Sequence, residues 1–182
     1  MLSPDYWIKA LRAYYPRLTI PTLLYGSQII YVWTGIKYLS KYIDLHAAEF
    51  KPWLFIEVAE EVFGSVRYEG LSIPSLGIKV LKLYVPIGSH LAVFEIFDKS
   101  HLGDVTMLMP WLTYVNRDEV NYWVPRLELY LVLEATRPDA PRAVGLARFR
   151  DLRHVINWEL VIDIANKLNV AEKVKRFIDE LS

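Results

Sequence analysis

Apolar residues along this chain fall into short strand-like runs and longer stretches at helical spacing. Ile78–Val85 and Leu91–Asp98 are two strand-like runs joined by the turn Pro86-Ile87-Gly88-Ser89, which predicts an antiparallel hairpin. Successive strand side chains alternate, so Leu91, Val93, Glu95 and Phe97 share one face. Glu95 therefore sits where burial penalises a charge unless the fold uses it.

Helical spacing takes over elsewhere. Ser3 and Pro4 read as an N-cap and first helical position, opening a short helix to about Tyr14 that Pro16 closes. Pro52 opens a helix to about Val66, with Leu54, Val58, Val62 and Val66 on one side and Glu57, Glu60 and Glu61 on the solvated arc. A further helix runs from Pro125 to Thr136 and is apolar on most sides. Near the end of the chain Val174, Phe177, Ile178 and Leu181 line one helical face, with Lys175 and Asp179 as an exposed pair. The stretch Thr22–Asp44 predicts a long buried helix, with Ile36, Leu39 and Ile43 at helical spacing. Ser27, Gln28 and Lys37 interrupt it before the ~20 apolar residues of a membrane span are reached. Residues 99–118 predict a loop, Arg142–Arg150 a strand carrying Val144, Leu146 and Phe149, and Val155–Trp158 another.

A chain of 182 residues suits a single domain. Its expected parts are a helical segment 1–46, a core 47–158 and C-terminal helices 159–182. With 53% hydrophobic residues the chain is globular. Lysine plus arginine equals aspartate plus glutamate at 21 each, so binding to a polyanion has to come from a local patch. The absence of cysteine excludes disulfides, iron–sulfur clusters and cysteine-ligated zinc, and it is compatible with a hot-living source. His46, His90, His101 and His154 are too dispersed for a zinc motif. The N-terminus shows no signal peptide, which points to an intracellular protein.

The order helix, strand, strand, helix, strand over about residues 50–158 resembles the restriction-endonuclease-like core of the PD-(D/E)XK superfamily, and more narrowly the CRISPR-associated RecB-like nucleases. Arg126–Asp151 is similar to that family's helix with a Gln-x-x-x-Tyr motif and its following strand, and Val85–Ser100 to its acidic hairpin. The resemblance implies an α+β fold, a small mixed sheet flanked by helices, with helical N- and C-terminal additions. In that alignment Glu95 and Tyr130 stand at family positions, whereas Phe97 replaces the lysine and Arg126 the glutamine. Lys79 or Val80 falls at the first-strand aspartate, and Pro52–Phe63 lacks the family's histidine. One carboxylate beside a phenylalanine does not hold a catalytic magnesium, so no metal and no cofactor are expected, and Glu95 and Tyr130 become vestiges. The plain reading of Glu95 is a salt-bridged residue.

Within the resemblance, inactivated members look like nucleocapsid proteins of filamentous viruses of hyperthermophilic archaea. The expectation is therefore a non-enzymatic, DNA-packaging virion protein. It would bind DNA without sequence preference, assemble as a homo-oligomer or filament, and have no integral membrane association. Arg142, Arg148, Arg150, Arg153 and His154 form the strongest local positive charge, relieved only by Asp151, and Arg126, Arg142, Arg148, Arg150 and Arg153 are the expected DNA contacts. On a strand Arg148 and Arg150 share a face, and three or four phosphates imply a log–log salt slope of about −3. The alternatives are an active metal-dependent nuclease with migrated carboxylates, and an inactive scaffold of a CRISPR adaptation complex, in the cytoplasm.

Overall fold

The structure, a computed structural model, describes residues 2–138 and 142–181, the side chains of 142–145 excepted. It divides into two compact units, Met1–Val124 and Pro125–Ser182.

The first unit is α+β. Its elements are α1 (Pro4–Tyr14), β1 (Thr22–Tyr25), α2 (Gln28–Thr34), β2 (Ile43–Ala47), α3 (Pro52–Phe63), β3 (Arg67–Ile73), β4 (Ile78–Ile87), β5 (His90–Phe97), α4 (Val105–Leu108), β6 (Leu112–Arg117) and β7 (Val120–Pro125). Among the described residues the strands form one seven-stranded sheet in the order β3-β4-β5-β2-β1-β7-β6. It is mixed: β2 runs parallel to β5 and β1 to β7, while β1–β2, β3–β4 and β4–β5 are antiparallel. The expected hairpin is present as β4–β5, and α1 and α3 start at the expected Pro4 and Pro52.

One face of the sheet carries the core. Leu24, Ile43, Leu45, Leu81, Leu83, Phe94 and Ile96 pack with Trp7, Leu11 and Tyr14 of α1 and Phe55 and Ala59 of α3. The Tyr14 hydroxyl donates to the Phe55 carbonyl at 2.7 Å, so the two helices are also tied by a buried hydrogen bond. Strand alternation then obliges Asp44, His46, Glu95, Phe97 and Lys82 onto the opposite face.

Two expectations are corrected here. Thr22–Asp44 is not one helix but β1, a turn, α2 and the start of β2, so the segment 1–46 is not all helical. All four residues of β1 are buried. A strand covered on both faces is apolar throughout and loses the alternation that would reveal it. Residues 99–118 hold α4 and β6, not a loop alone. The β6–β7 hairpin turns on Asp118 and Glu119, both left-handed (φ 50° and 67°), where turn rules look for glycine or asparagine. Tyr31 donates its hydroxyl to the Asp118 carboxylate, and Arg117 Nε donates to the Val32 carbonyl at 3.0 Å, so this turn fixes α2. Burial and then the Asp118 contact push the Tyr31 hydroxyl up to about 12.

The second unit is helical among its described residues: α5 (Leu127–Thr136), α6 (Arg142–Arg150), α7 (Trp158–Lys167) and α8 (Ala171–Leu181). The expected strands at 142–150 and 155–158 are absent. Phe149 is fully buried against Tyr130 and Phe177, with ring centroids at 5.4 and 6.2 Å. Asn157 ends the second expected strand by capping α7, its side chain accepting from the Leu160 amide at 3.2 Å. No helix of the described residues is long and apolar enough to cross a membrane.

Candidate active site

The polar residues of the opposite sheet face line up in one row. Asp44 on β2 is the register partner of Tyr25 on β1 and of Glu95 on β5. Glu95 in turn faces Lys82 on β4, and Lys82 faces Glu69 on β3. Neighbouring strands lie about 4.8 Å apart, so Asp44 and Glu95 leave adjacent positions of the same face, Asp44 with its carboxylate against Gly26 and Glu95 with its own toward Lys82. The next row is aromatic: the His46 ring stacks on Tyr25 (centroids 4.2 Å) and meets Phe97 edge-on at 5.5 Å. His46 is buried between them, so the face carries two carboxylates beside an aromatic row.

The β1–α2 turn closes over this row. Gly26 has φ +70°, and a Cβ there would overlap the Asp44 carboxylate. Backbone and carboxylate can approach this closely because the residue has no side chain. Ser27 follows, its Oγ 3.4 Å from Ser40 Oγ, and buried Gln28 donates to Ser40 Oγ and to the Tyr42 carbonyl, both at 2.9 Å. The turn is thus pinned to the segment that leads into β2. Gly26→Ala should cost about 1–2 kcal/mol from backbone strain alone, with Asp44 displaced in addition. A thermal melt checks it, and an unchanged melting temperature would mean that the turn relaxes freely.

Lys82 Nζ lies 2.8 Å from Glu95 Oε1, with both side chains largely buried at 19% and 14% exposure. The contact with Glu95 holds the Lys82 ammonium above its ordinary pKa. Lys82 Nζ also sits 4.8 Å from the Tyr42 ring centroid. Glu95 is therefore salt-bridged, as its plain reading has it. Among the described residues no group of three His, Cys, Asp or Glu side chains is gathered for a metal ion. A pair does fit magnesium, which takes one or two carboxylates and completes its shell with waters and substrate phosphates.

The other residues singled out in the sequence are in the second unit. Tyr130 is fully buried in α5. Arg148 donates to Glu134 Oε2 at 3.0 Å and to the Tyr130 hydroxyl at 3.3 Å. Burial alone would lower its pKa, but Tyr130 and Glu134 reverse this and the net shift is upward. Arg150 is exposed. Because α6 is a helix, residues two apart point about 200° from each other, so Arg148 and Arg150 do not share a face. Arg126 is exposed at the N-cap of α5, Arg153 is exposed beyond α6, and the Arg142 side chain lies outside the described residues. Gly26, Ser27, Asp44 and Lys82 are not among the expected site residues. A Gly-Ser pair after an apolar run, followed by an acidic residue inside the next apolar run, was the available signal.

No protein-family model and no curated protein matches the chain. Solved structures do. A "putative nucleotidyltransferase" (TM1012) from Thermotoga maritima aligns with TM-score 0.53 at 16% identity, over 86% of this chain and 94% of its own. A protein of the same description from H. pylori aligns with TM-score 0.54 at 12% identity, over 99% and 97%. JHP933 from Helicobacter pylori aligns with TM-score 0.54 at 12% identity, over 100% and 95%. At these identities the likeness shows the fold. It overturns the resemblance to CRISPR-associated RecB-like nucleases and does not bear out a restriction-endonuclease-like core. The nucleocapsid and nuclease readings and the expectation of a non-enzyme fall with it, and the virion location is left without support. Their basis was a helix–strand–strand–helix–strand order, and its last strand is the helix α6.

Proposed function

We propose that the chain is a nucleotidyltransferase, moving a nucleoside monophosphate from a nucleoside triphosphate to an acceptor hydroxyl. The observation that carries this reading is the Gly26–Ser27 turn lying against Asp44, with Glu95 as the neighbouring carboxylate in register. The names of the solved structures that share the fold support it. In the reaction the acceptor oxygen forms a bond to the α-phosphorus and the bond from that phosphorus to the bridging oxygen breaks. Pyrophosphate leaves with the electron pair, and the hydroxyl proton passes to water.

The residues divide the work. Asp44 and Glu95 would hold a divalent cation, which when bound with the triphosphate neutralises charge on the phosphates. Gly26, having no side chain, lets the Asp44 carboxylate lie directly against the backbone of the turn. The buried links among Gln28, Ser40 and Tyr42 hold the turn in place, so positioning precedes binding. The stacked His46 and Tyr25 rings stop the Asp44 strand from shifting.

The test is incubation with each nucleoside triphosphate, labelled in the α-phosphate, with magnesium or manganese. Total RNA, DNA and the protein itself serve as acceptors. The expected result is labelled acceptor with stoichiometric pyrophosphate. Absence of both, together with no triphosphate binding, would overturn the proposal.

A further inference from the structure

Lys82 occupies a place that a plain structural ion pair does not need. It stands in the same row as the two carboxylates, beside Glu95 and one strand further from Asp44. Two neighbouring carboxylates on one face repel each other, and Lys82 Nζ at 2.8 Å neutralises the one it touches. The row Asp44, Glu95, Lys82 thus carries a formal net charge of −1 at rest. Asp44 and Glu95 would together hold a divalent cation, and Glu95 would then no longer need Lys82 as its partner. The ammonium, on a flexible four-carbon stem, would be free to meet a polyanion. Tyr42 helps in both positions, because its ring offers Lys82 a face at 4.8 Å that does not depend on Glu95.

We infer that Lys82 is a displaceable counter-ion: it holds Glu95 in the resting site and turns to the pyrophosphate end of the triphosphate when a divalent cation takes Glu95. The inference rests on the nucleotidyltransferase reading. It adds to that reading the group that recognises the leaving phosphates, and it makes cation and lysine competitors for one carboxylate. No covalent step is involved. Lys82 would touch substrate phosphate oxygens directly, through charge-assisted hydrogen bonds.

Two affinities of opposite sign test it. Manganese alone, titrated into the full chain, should bind Lys82→Met about tenfold more tightly than the parent, since a competing positive charge is gone. A non-hydrolysable triphosphate at saturating manganese should bind Lys82→Met about tenfold more weakly, and Lys82→Arg should recover most of that loss. If Lys82→Met does not fold, Glu95→Gln keeps the volume and frees the lysine. Metal-free triphosphate should then bind more tightly than it does to the parent. A parent that binds neither manganese nor triphosphate overturns the function itself. A parent that binds both, with both affinities unmoved in folded Lys82→Met, overturns the counter-ion role and leaves the function standing.

Discussion

Replacing Asp44 by asparagine should lower nucleotidyl transfer by about 10³-fold, or about 4 kcal/mol of transition-state stabilisation. The substitution keeps the shape of the side chain and removes its charge. Of the two carboxylates, Asp44 is the one against the β1–α2 turn. Glu95 shares its charge with Lys82 already. The loss should therefore fall mainly on turnover and on manganese binding, with the melting temperature nearly unchanged. Pyrophosphate release under single-turnover conditions measures it, with circular dichroism as the check on folding. A folded Asp44→Asn protein within about tenfold of the parent would place the reacting phosphate elsewhere.

Glu134→Ala should destabilise the helical unit by about 3–5 kcal/mol, the loss that follows when one member of a buried charge pair is removed. The Glu134 side chain is 1% exposed and accepts from Arg148 at 3.0 Å and Arg137 at 3.3 Å. Without it, Arg148 is left positive in a largely buried site beside Tyr130 and Phe149. The double variant Glu134→Leu, Arg148→Met should recover most of the stability, because an apolar pair of similar volume carries no desolvation penalty. Chemical denaturation followed by the helical signal distinguishes the two. Equal losses in the single and double variants would show that packing, not charge, dominates there. It also follows that Arg148→Ala would unsettle this unit, whatever binds to its surface.

Much of the scaffold was legible in the sequence. Pro4 and Pro52 start helices because proline fits the first helical turn, and the β4–β5 hairpin shows its short turn between two apolar runs. The amphipathic α8 declares itself by spacing, with Val174, Phe177 and Leu181 buried. The site was legible only in pieces. Glu95 stands out as a charge in an apolar strand, while the local pattern places Asp44 at the end of a helix.

What the sequence by itself determined is therefore local: where helices begin, which strands form a tight hairpin, and that one carboxylate sits on an otherwise apolar strand face. Periodicity and turn chemistry act over a few residues, so a single sequence displays them. Only the tertiary structure decided that β2 lies between β1 and β5, which brings Asp44 beside Glu95 from 51 residues away and sets Gly26 against it. It also decided that Arg142–Arg150 is a helix, with Arg148 turned to a buried Glu134. Strand neighbours distant in the chain, and the burial that makes a charge seek a partner, depend on how elements pack. No window of the sequence contains that information.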